Sequence, residues 1–210
     1  IDGEDSMMVL GDNLFYGNFE YFRRAVNKQI NNDDEFLARV FAYPVNDPER
    51  FGVVDFNQET GEVKSLEEKP EKPKSNFAVP GLYIFDGSVS SRVKIQEPSE
   101  RGELEITDLN LNYLKEGKLA CEIIGRGMAW LDTGTPESLL EASNFVSIIE
   151  KRQGLKIACL EEVAFRQGFI SINDFKNIIN KRPNGPYREY LEQVFQDSLL
   201  AKDPVGKKVA

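Results

Sequence analysis

The sequence predicts an α/β layer fold followed by a purely helical extension, and three observations carry that prediction. Strand-like and helix-like segments alternate up to about residue 150, and strand signals stop beyond Gly154. An apolar run, Met7 to Leu10, closes on Gly11-Asp12-Asn13, the pattern of a strand whose polar residues emerge at its carboxyl end, where ligands of open α/β sheets bind.

Taken in order, Met7 to Leu10 is expected to be a central parallel strand with its partners upstream. Phe19 to Ile30 reads as a helix, because Phe19, Phe22, Val26 and Ile30 recur on one face. Glu35 to Tyr43 alternates as a strand with apolar residues on both sides, so both faces should be covered. A turn-rich loop from Asn46 to Gly52 feeds the strand Val53 to Phe56, and Asn57 to Gly61 turns it back into Val63 to Glu67 as a hairpin. Lysine and proline make Lys69 to Lys74 an extended surface loop. Ala78 to Phe85 reads as one further strand, and Asp86 or Ser88 opens a short helix.

Glu103 to Glu116 reads as a helix whose leucines are too spread for a single narrow face, and Gly117 ends it as a C-terminal cap would. Strands follow at Lys118 to Ile124 and at Met128 to Asp132. Thr135 before Pro136 supplies an N-cap and an N1 proline, so a helix starts there and runs through Ile149. Leu160 to Gln167, Asn173 to Lys181 and Pro186 to Leu200 read as three more helices. Residues 1–150 and 151–210 are therefore expected to be a layered domain and a helical tail.

The 210 residues suffice for one packed domain with an appendage, and 40% hydrophobic against 29% charged residues is the balance of a globular protein. A net charge of −9 argues against nucleic-acid and anionic-membrane partners, which need a basic field. The longest apolar runs are strand-sized, far short of a membrane span, and a cytoplasmic protein fits. Cys121 and Cys159 have no metal or redox spacing and are expected to be buried free thiols. No histidine is present, which removes histidine-based nucleophile schemes, histidine-held zinc and a histidine general base. Chemistry must then use carboxylates, lysine, arginine and a hard metal ion, or a substrate that is already ionised.

Two carboxylates stand at strand ends. Asp12 and Asp132 either converge on a hard cation, which takes one or two carboxylates together with waters and phosphates, or they serve an Asx-turn and a helix start. Glu67-Glu68-Lys69-Pro70 places a carboxylate and an ammonium at a strand end, where a lysine and a neighbouring glutamate either meet a phosphate and sugar hydroxyls or form a solvated charge run. Gly52 either admits a ligand to the backbone or serves a turn. Arg101-Gly102-Glu103-Leu104-Glu105 brings a carboxylate to the site or simply places acids at a helix entry.

Seven stretches, in order, resemble the sugar nucleotidyltransferase family, specifically its glucose-1-phosphate thymidylyltransferase type. They are VLGDN from Val9, DPERFGVV from Asp47, SLEEKP from Ser65, KSNFAVPGLYIFD from Lys74, RGELEITDLN from Arg101, AWLDTGTPESLLEASNFV from Ala129 and EKRQGLKIACLEEVA from Glu150. The resemblance covers most of the chain, and the last stretch separates this short bacterial type from longer relatives. It implies a Rossmann-like mixed sheet and transfer of a thymidylyl group from dTTP to glucose 1-phosphate, with Mg2+, for dTDP-rhamnose-type sugar synthesis.

Residue by residue, it implies that Asp12 and Asp132 hold the magnesium and that Lys69 holds the sugar phosphate. Asn13, the backbone at Gly52 and Val79, and Glu68 would contact glucose, with Tyr83 in the wall. Gly125 and Arg126 would lie near a regulatory nucleotide site at a subunit interface of a homo-oligomer, a homotetramer, to which the tail contributes. Pro80 is a small departure from the family pattern. The large one is that no glycine-rich loop for the triphosphate precedes Asp12, so the chain is expected to lack its N-terminal nucleotide-binding segment. On that expectation it is catalytically silent alone and associates through an open apolar edge; the alternatives are a noncatalytic sugar-phosphate-binding or oligomerisation remnant, or an unrelated α/β domain.

Overall fold

Both faces of the strand β3, Ala38–Pro44, are apolar, and the sheet is organised around it. The structure is a computed structural model that describes residues 3–31, 33–98, 102 and 104–200. β3 runs parallel to β8, Leu119–Ile123, from Ala38 opposite Leu119 to Ala42 opposite Ile123. On its other side it runs antiparallel to β7, Leu82–Phe85, and to the short β6, Phe77–Ala78. β4, Gly52–Phe56, joins through Val53 opposite Ala78 and pairs with β5, Val63–Glu68, as the predicted hairpin. β1, Ser6–Val9, pairs with β7. The result is a mixed α/β sheet with helices at the C-terminal end of the chain.

Alternation along β3 splits the core in two. Ala38, Val40 and Ala42 pack with Leu109 and Tyr113 of α3, Ile106–Lys115, while Phe41 packs with Tyr21 and Ala25 of α1, Glu20–Asn31. Phe41 and Tyr113 are fully buried, each worth about 1.5–3 kcal/mol by area. Arg39 is buried within the same strand and is held by Asp34 at 2.5 Å and Glu122 at 3.5 Å, since an unpaired charge there would be prohibitive. Both cysteines are free and buried, as expected, and burial pushes the Cys121 thiol up, leaving it inert.

Several elements depart from expectation. β1 is not a central parallel strand: it pairs antiparallel with β7 alone among the described residues, and Met7 and Val9 are 53% and 47% exposed. Helix α1 forms where predicted but buries Tyr21, Ala25 and Gln29, with Phe19 and Ile30 turned to the exposed side. The single strand expected over Ala78 to Phe85 is divided into β6 and β7, because Pro80 has no N–H to donate to a ladder. α3 begins at Ile106; Arg101 and Glu103 lie outside the described residues. A two-stranded sheet of β2, Asn13–Tyr16, and β9, Ala129–Asp132, was not foreseen in β2. α2, Val89–Lys94, starts after Ser88 as read.

By contacts the chain divides into one unit ending at Ala142 and a second from Ser143 onward, a boundary inside α4, Pro136–Gln153. In the second unit α5, Leu160–Arg166, α6, Ile172–Lys181, and α7, Pro186–Leu200, enclose Phe165, Phe175, Ile179, Leu191 and Val194. The Phe165 and Phe175 rings stack with centroids 4.6 Å apart. Ser171 and Asp174 form a reciprocal capping box at the start of α6. Among the described residues no helix is long and apolar enough to cross a membrane.

Candidate functional site

The carboxyl end of β1 and the starts of β2 and β4 open onto one cavity of about 210 Å³ in the first unit. Asp12, Asn13, Gly52, Glu68 and Lys69 line it. So do Val79, Tyr83 and Asp132, which brings together all eight residues assigned to metal and sugar phosphate. Gly125 and Arg126 are not brought there; they lie in an exposed turn between β8 and β9.

Strand pairing makes the convergence. β2 and β9 are antiparallel with Asn13 opposite Asp132, and the Thr133 N–H and hydroxyl donate to the Asp12 carbonyl at 2.7 and 2.8 Å. Oxygens of Asp132 and Asp12 lie 3.2 and 3.6 Å from the same point, the position that a Cβ on Gly134 would take. Asn13 fixes the corner: its amide nitrogen donates to Asp12 at 2.7 Å, while its oxygen accepts from Trp130 Nε1 at 2.6 Å and the Gly81 N–H at 2.9 Å. Gly81 has no alternative here, because a Cβ would meet the Leu10 side chain at 2.7 Å.

No group of three or more metal-type side chains occurs among the described residues. Asp132 Oδ1 also accepts from the Gly134 N–H at 3.0 Å, as a turn at the helix start would have it, and the oxygens left to the two neighbouring carboxylates match magnesium, which keeps several waters and takes further oxygens from phosphates. These residues fit that ion and would suit a soft metal poorly.

The hairpin builds the opposite wall. Gly52 pairs with Glu68, and a Cβ on Gly52 would stand 3.3 Å from the Glu68 carboxylate, so glycine keeps that carboxylate approachable. Thr107 donates to Glu68 Oε2 at 2.7 Å, whereas Glu67, on the other face of the strand, is ion-paired with Lys74. Lys69 follows directly with φ of +43°, a left-handed conformation uncommon for a residue with a Cβ, and its N–H donates to the Phe51 carbonyl at 3.0 Å. That backbone turns the chain out of the strand beside the cavity. The Val79 N–H is engaged with the Gly52 carbonyl at 2.8 Å. Burial, with the Glu68 and Asp12 charges added, pushes the Tyr83 hydroxyl up, so it stays a neutral donor.

Other residues of the lining were not singled out as site residues by sequence reasoning, among them Arg50, Phe51, Thr107, Asn110 and Trp130. Arg50 is held by Asp47 at 2.8 Å, which raises the pKa of its guanidinium, and it lies over the Phe51 ring. Phe51 and Tyr43 both pack against Trp130, with ring centroids 5.1 and 5.6 Å away. The available signals were the chain's lone tryptophan two residues before Asp132 and the i, i+3 spacing of Thr107 and Asn110.

A family model described as nucleotidyl transferase matches residues 1–148. The chain belongs to the nucleotidyl transferase family. This corrects the expectation that the nucleotide-binding segment is lacking, since the family domain is matched from the first residue. β1, whose apolar run had suggested a central strand deprived of neighbours, is instead half-exposed and paired with β7. The expected catalytic silence thereby loses its premise. This nucleotidyl transferase chain is 48% identical over 193 residues to the glucose-1-phosphate thymidylyltransferase of Xanthomonas campestris pv. campestris, spanning 91% of this chain and 63% of that protein. It is 44% identical over 196 residues to that of Mycobacterium tuberculosis, spanning 92% of this chain and 66% of the relative. The chain thus spans less than two thirds of these relatives' length. A solved structure described as a Bacillus anthracis glucose-1-phosphate thymidylyltransferase in complex with sucrose aligns with a TM-score of 0.57 and 38% identity, covering 68% of this chain and 55% of that one.

Proposed function

We propose that the protein transfers a thymidylyl group from dTTP to glucose 1-phosphate, giving dTDP-glucose and pyrophosphate for dTDP-rhamnose-type sugar synthesis in the cytoplasm. The observation that carries this reading is the single cavity lined by Asp12, Asn13, Gly52, Glu68, Lys69, Val79, Tyr83 and Asp132. Its volume of about 210 Å³ falls below the roughly 300–1,000 Å³ of drug-sized ligand pockets, the scale of a monosaccharide more than of a whole nucleotide sugar.

An oxygen of the sugar phosphate forms the new bond to the α-phosphorus of dTTP, and the bond from that phosphorus to the pyrophosphate oxygen breaks. A phosphate monoester has its second pKa at about 6, so the attacking group is already ionised and needs no histidine base. Magnesium, held by Asp12 and Asp132, supplies neutralisation of phosphate charge when bound. Lys69 holds the sugar phosphate as a point charge, and Asn13 keeps Asp12 aimed into the cavity. Glu68, steadied by Thr107, accepts from sugar hydroxyls. Because the Val79 N–H is spent on Gly52, Val79 meets the sugar through its carbonyl. Catalysis is then positioning and charge neutralisation.

The same reading makes residues 1–150 the catalytic domain. It makes 151–210 an oligomer or regulatory region of a homotetramer, with Gly125 and Arg126 at a regulatory nucleotide site. Leu139, Leu140 and Ile148 of α4, 54–63% exposed, offer apolar surface for such assembly. The test is pyrophosphate release by the purified protein with dTTP, glucose 1-phosphate and magnesium, beside its mass by light scattering. Release that requires all three supports the reading; glucose 1-phosphate binding without release from any nucleoside triphosphate marks a binding module instead.

A further inference from the structure

One wall of the cavity contains a polar group that nothing among the described residues satisfies. Asn110 is only 1% exposed, yet its side-chain carbonyl has no hydrogen-bond partner among the described residues, and the residue lines the cavity. Buried amides in folded proteins are almost always paired, because desolvating one without compensation is unfavourable. Asn110 also stands one helical turn beyond Thr107 on α3, so the two share a face, and Ile106 joins them in the lining. Thr107 has its partner in Glu68. Asn110 is the member of this face left for a ligand.

We propose that Asn110 is a further specificity-determining residue, whose amide receives one ring hydroxyl of the sugar. This rests on the reading of the cavity as the sugar-phosphate site. A hydroxyl both donates and accepts, so it pairs with either end of an amide, whichever way the group is turned. A phosphate would repel the carbonyl, and Lys69 lies elsewhere in the lining to take it. Placing the orphan amide on a helix already packed into the core makes the contact rigid, and discrimination by a buried polar group works by leaving it unpaired when the wrong sugar enters. The protein then bears the unsatisfied group when empty, and the sugar relieves it.

The experiment compares the full chain with Asn110→Leu by thermal shift and titration against glucose 1-phosphate, its four monodeoxy analogues and dTTP. Asn110→Leu removes the unpaired amide at similar volume, so the ligand-free melting temperature should hold or rise while glucose 1-phosphate affinity falls about tenfold, the weight of one hydrogen bond. That loss should vanish for one deoxy analogue, the one missing the partner hydroxyl, and dTTP affinity should not change. Asn110→Ala, which clears the same group without new bulk, carries the same expectation if the leucine variant does not fold. Unaltered glucose 1-phosphate affinity, or an equal loss against every analogue, overturns the inference while leaving the cavity's assignment intact. A wild-type chain that binds none of the sugar phosphates overturns the assignment itself, and the inference with it.

Discussion

The candidate-site cavity and the helical tail are built by opposite means. The cavity is closed by residues distant in sequence: Asp12 meets Thr133 across 121 residues, and Glu68 of the hairpin wall meets Thr107 across 39. The tail relies on near neighbours, with a capping box spanning three residues and a core whose rings come from adjacent helices. In the cavity, the buried Asn110 carbonyl is left without a partner among the described residues and Lys69 is held in a left-handed backbone; in the tail, apolar rings are stacked and shut away. The difference teaches where each region's information lies: local spacing suffices for the tail, whereas the site exists only through strand register.

The sharpest way to break this contrast is to damage each region at its most committed residue. Phe175 is fully buried in the tail, so Phe175→Ala should cost about 3–5 kcal/mol, read as lost hydrogen-exchange protection in α5 to α7. A loss below about 1 kcal/mol would mean that this core is less tightly packed than its stacked rings indicate.

For the cavity, Asp12→Asn and Asp132→Asn should each reduce magnesium-dependent turnover by about 10²–10³-fold, the scale of losing one preorganised charge-stabilising group. The melting temperature should barely move, since both carboxylates face open space and not the core. Near-normal turnover in either variant would remove that aspartate from the metal site. A third substitution, Lys69→Ala, should raise the glucose 1-phosphate requirement about 10- to 100-fold while leaving that for dTTP nearly unchanged. Glu68→Gln in the same assay should mainly erode selectivity among sugars. Equal effects of Lys69→Ala on both substrates would give the lysine another task.

The smallest effect sharpens the local side of the comparison. Ser171→Ala removes one half of the capping box and should lower stability by about 1 kcal/mol in chemical denaturation. No change would show that Asp174, which also accepts from the Ser171 N–H, supports the helix start unaided.

Legibility in the sequence followed the same division. The three tail helices, the β4–β5 hairpin, the Gly117 cap and the Pro136 helix start were all readable, because periodicity and cap chemistry act over a few residues. Of the predicted face of α1, Phe22 and Val26 pack against the core while Phe19 and Ile30 stay exposed, since large apolar side chains mark an amphipathic stripe only until the sheet selects which of them it covers. β1 was misread as central because four apolar-rich residues look alike in a core strand and in a half-exposed one. Asn110 was hidden inside a run of leucines, where it reads as an ordinary helix residue until its lack of a partner is seen.

By itself, the sequence determined the order and type of most elements, and the resemblance carried by its ordered motifs nominated residues that the fold places around one cavity. Only the tertiary structure decided that Asp12 and Asp132 stand side by side, that Thr107 holds Glu68 in the cavity wall while Lys74 holds Glu67 outside it, and that Asn110 stands there with its carbonyl unpaired among the described residues. The physical reason is the two-residue period of a strand: slipping β9 against β2, or β5 against β4, by one position would send each of those carboxylates to the opposite face. The Asn57–Gly61 turn, where the Gly61 N–H donates to the Asn57 carbonyl at 2.8 Å, sets the β4–β5 register locally, whereas β9 meets β2 only in the folded chain, with Thr133 reaching Asp12 across 121 residues.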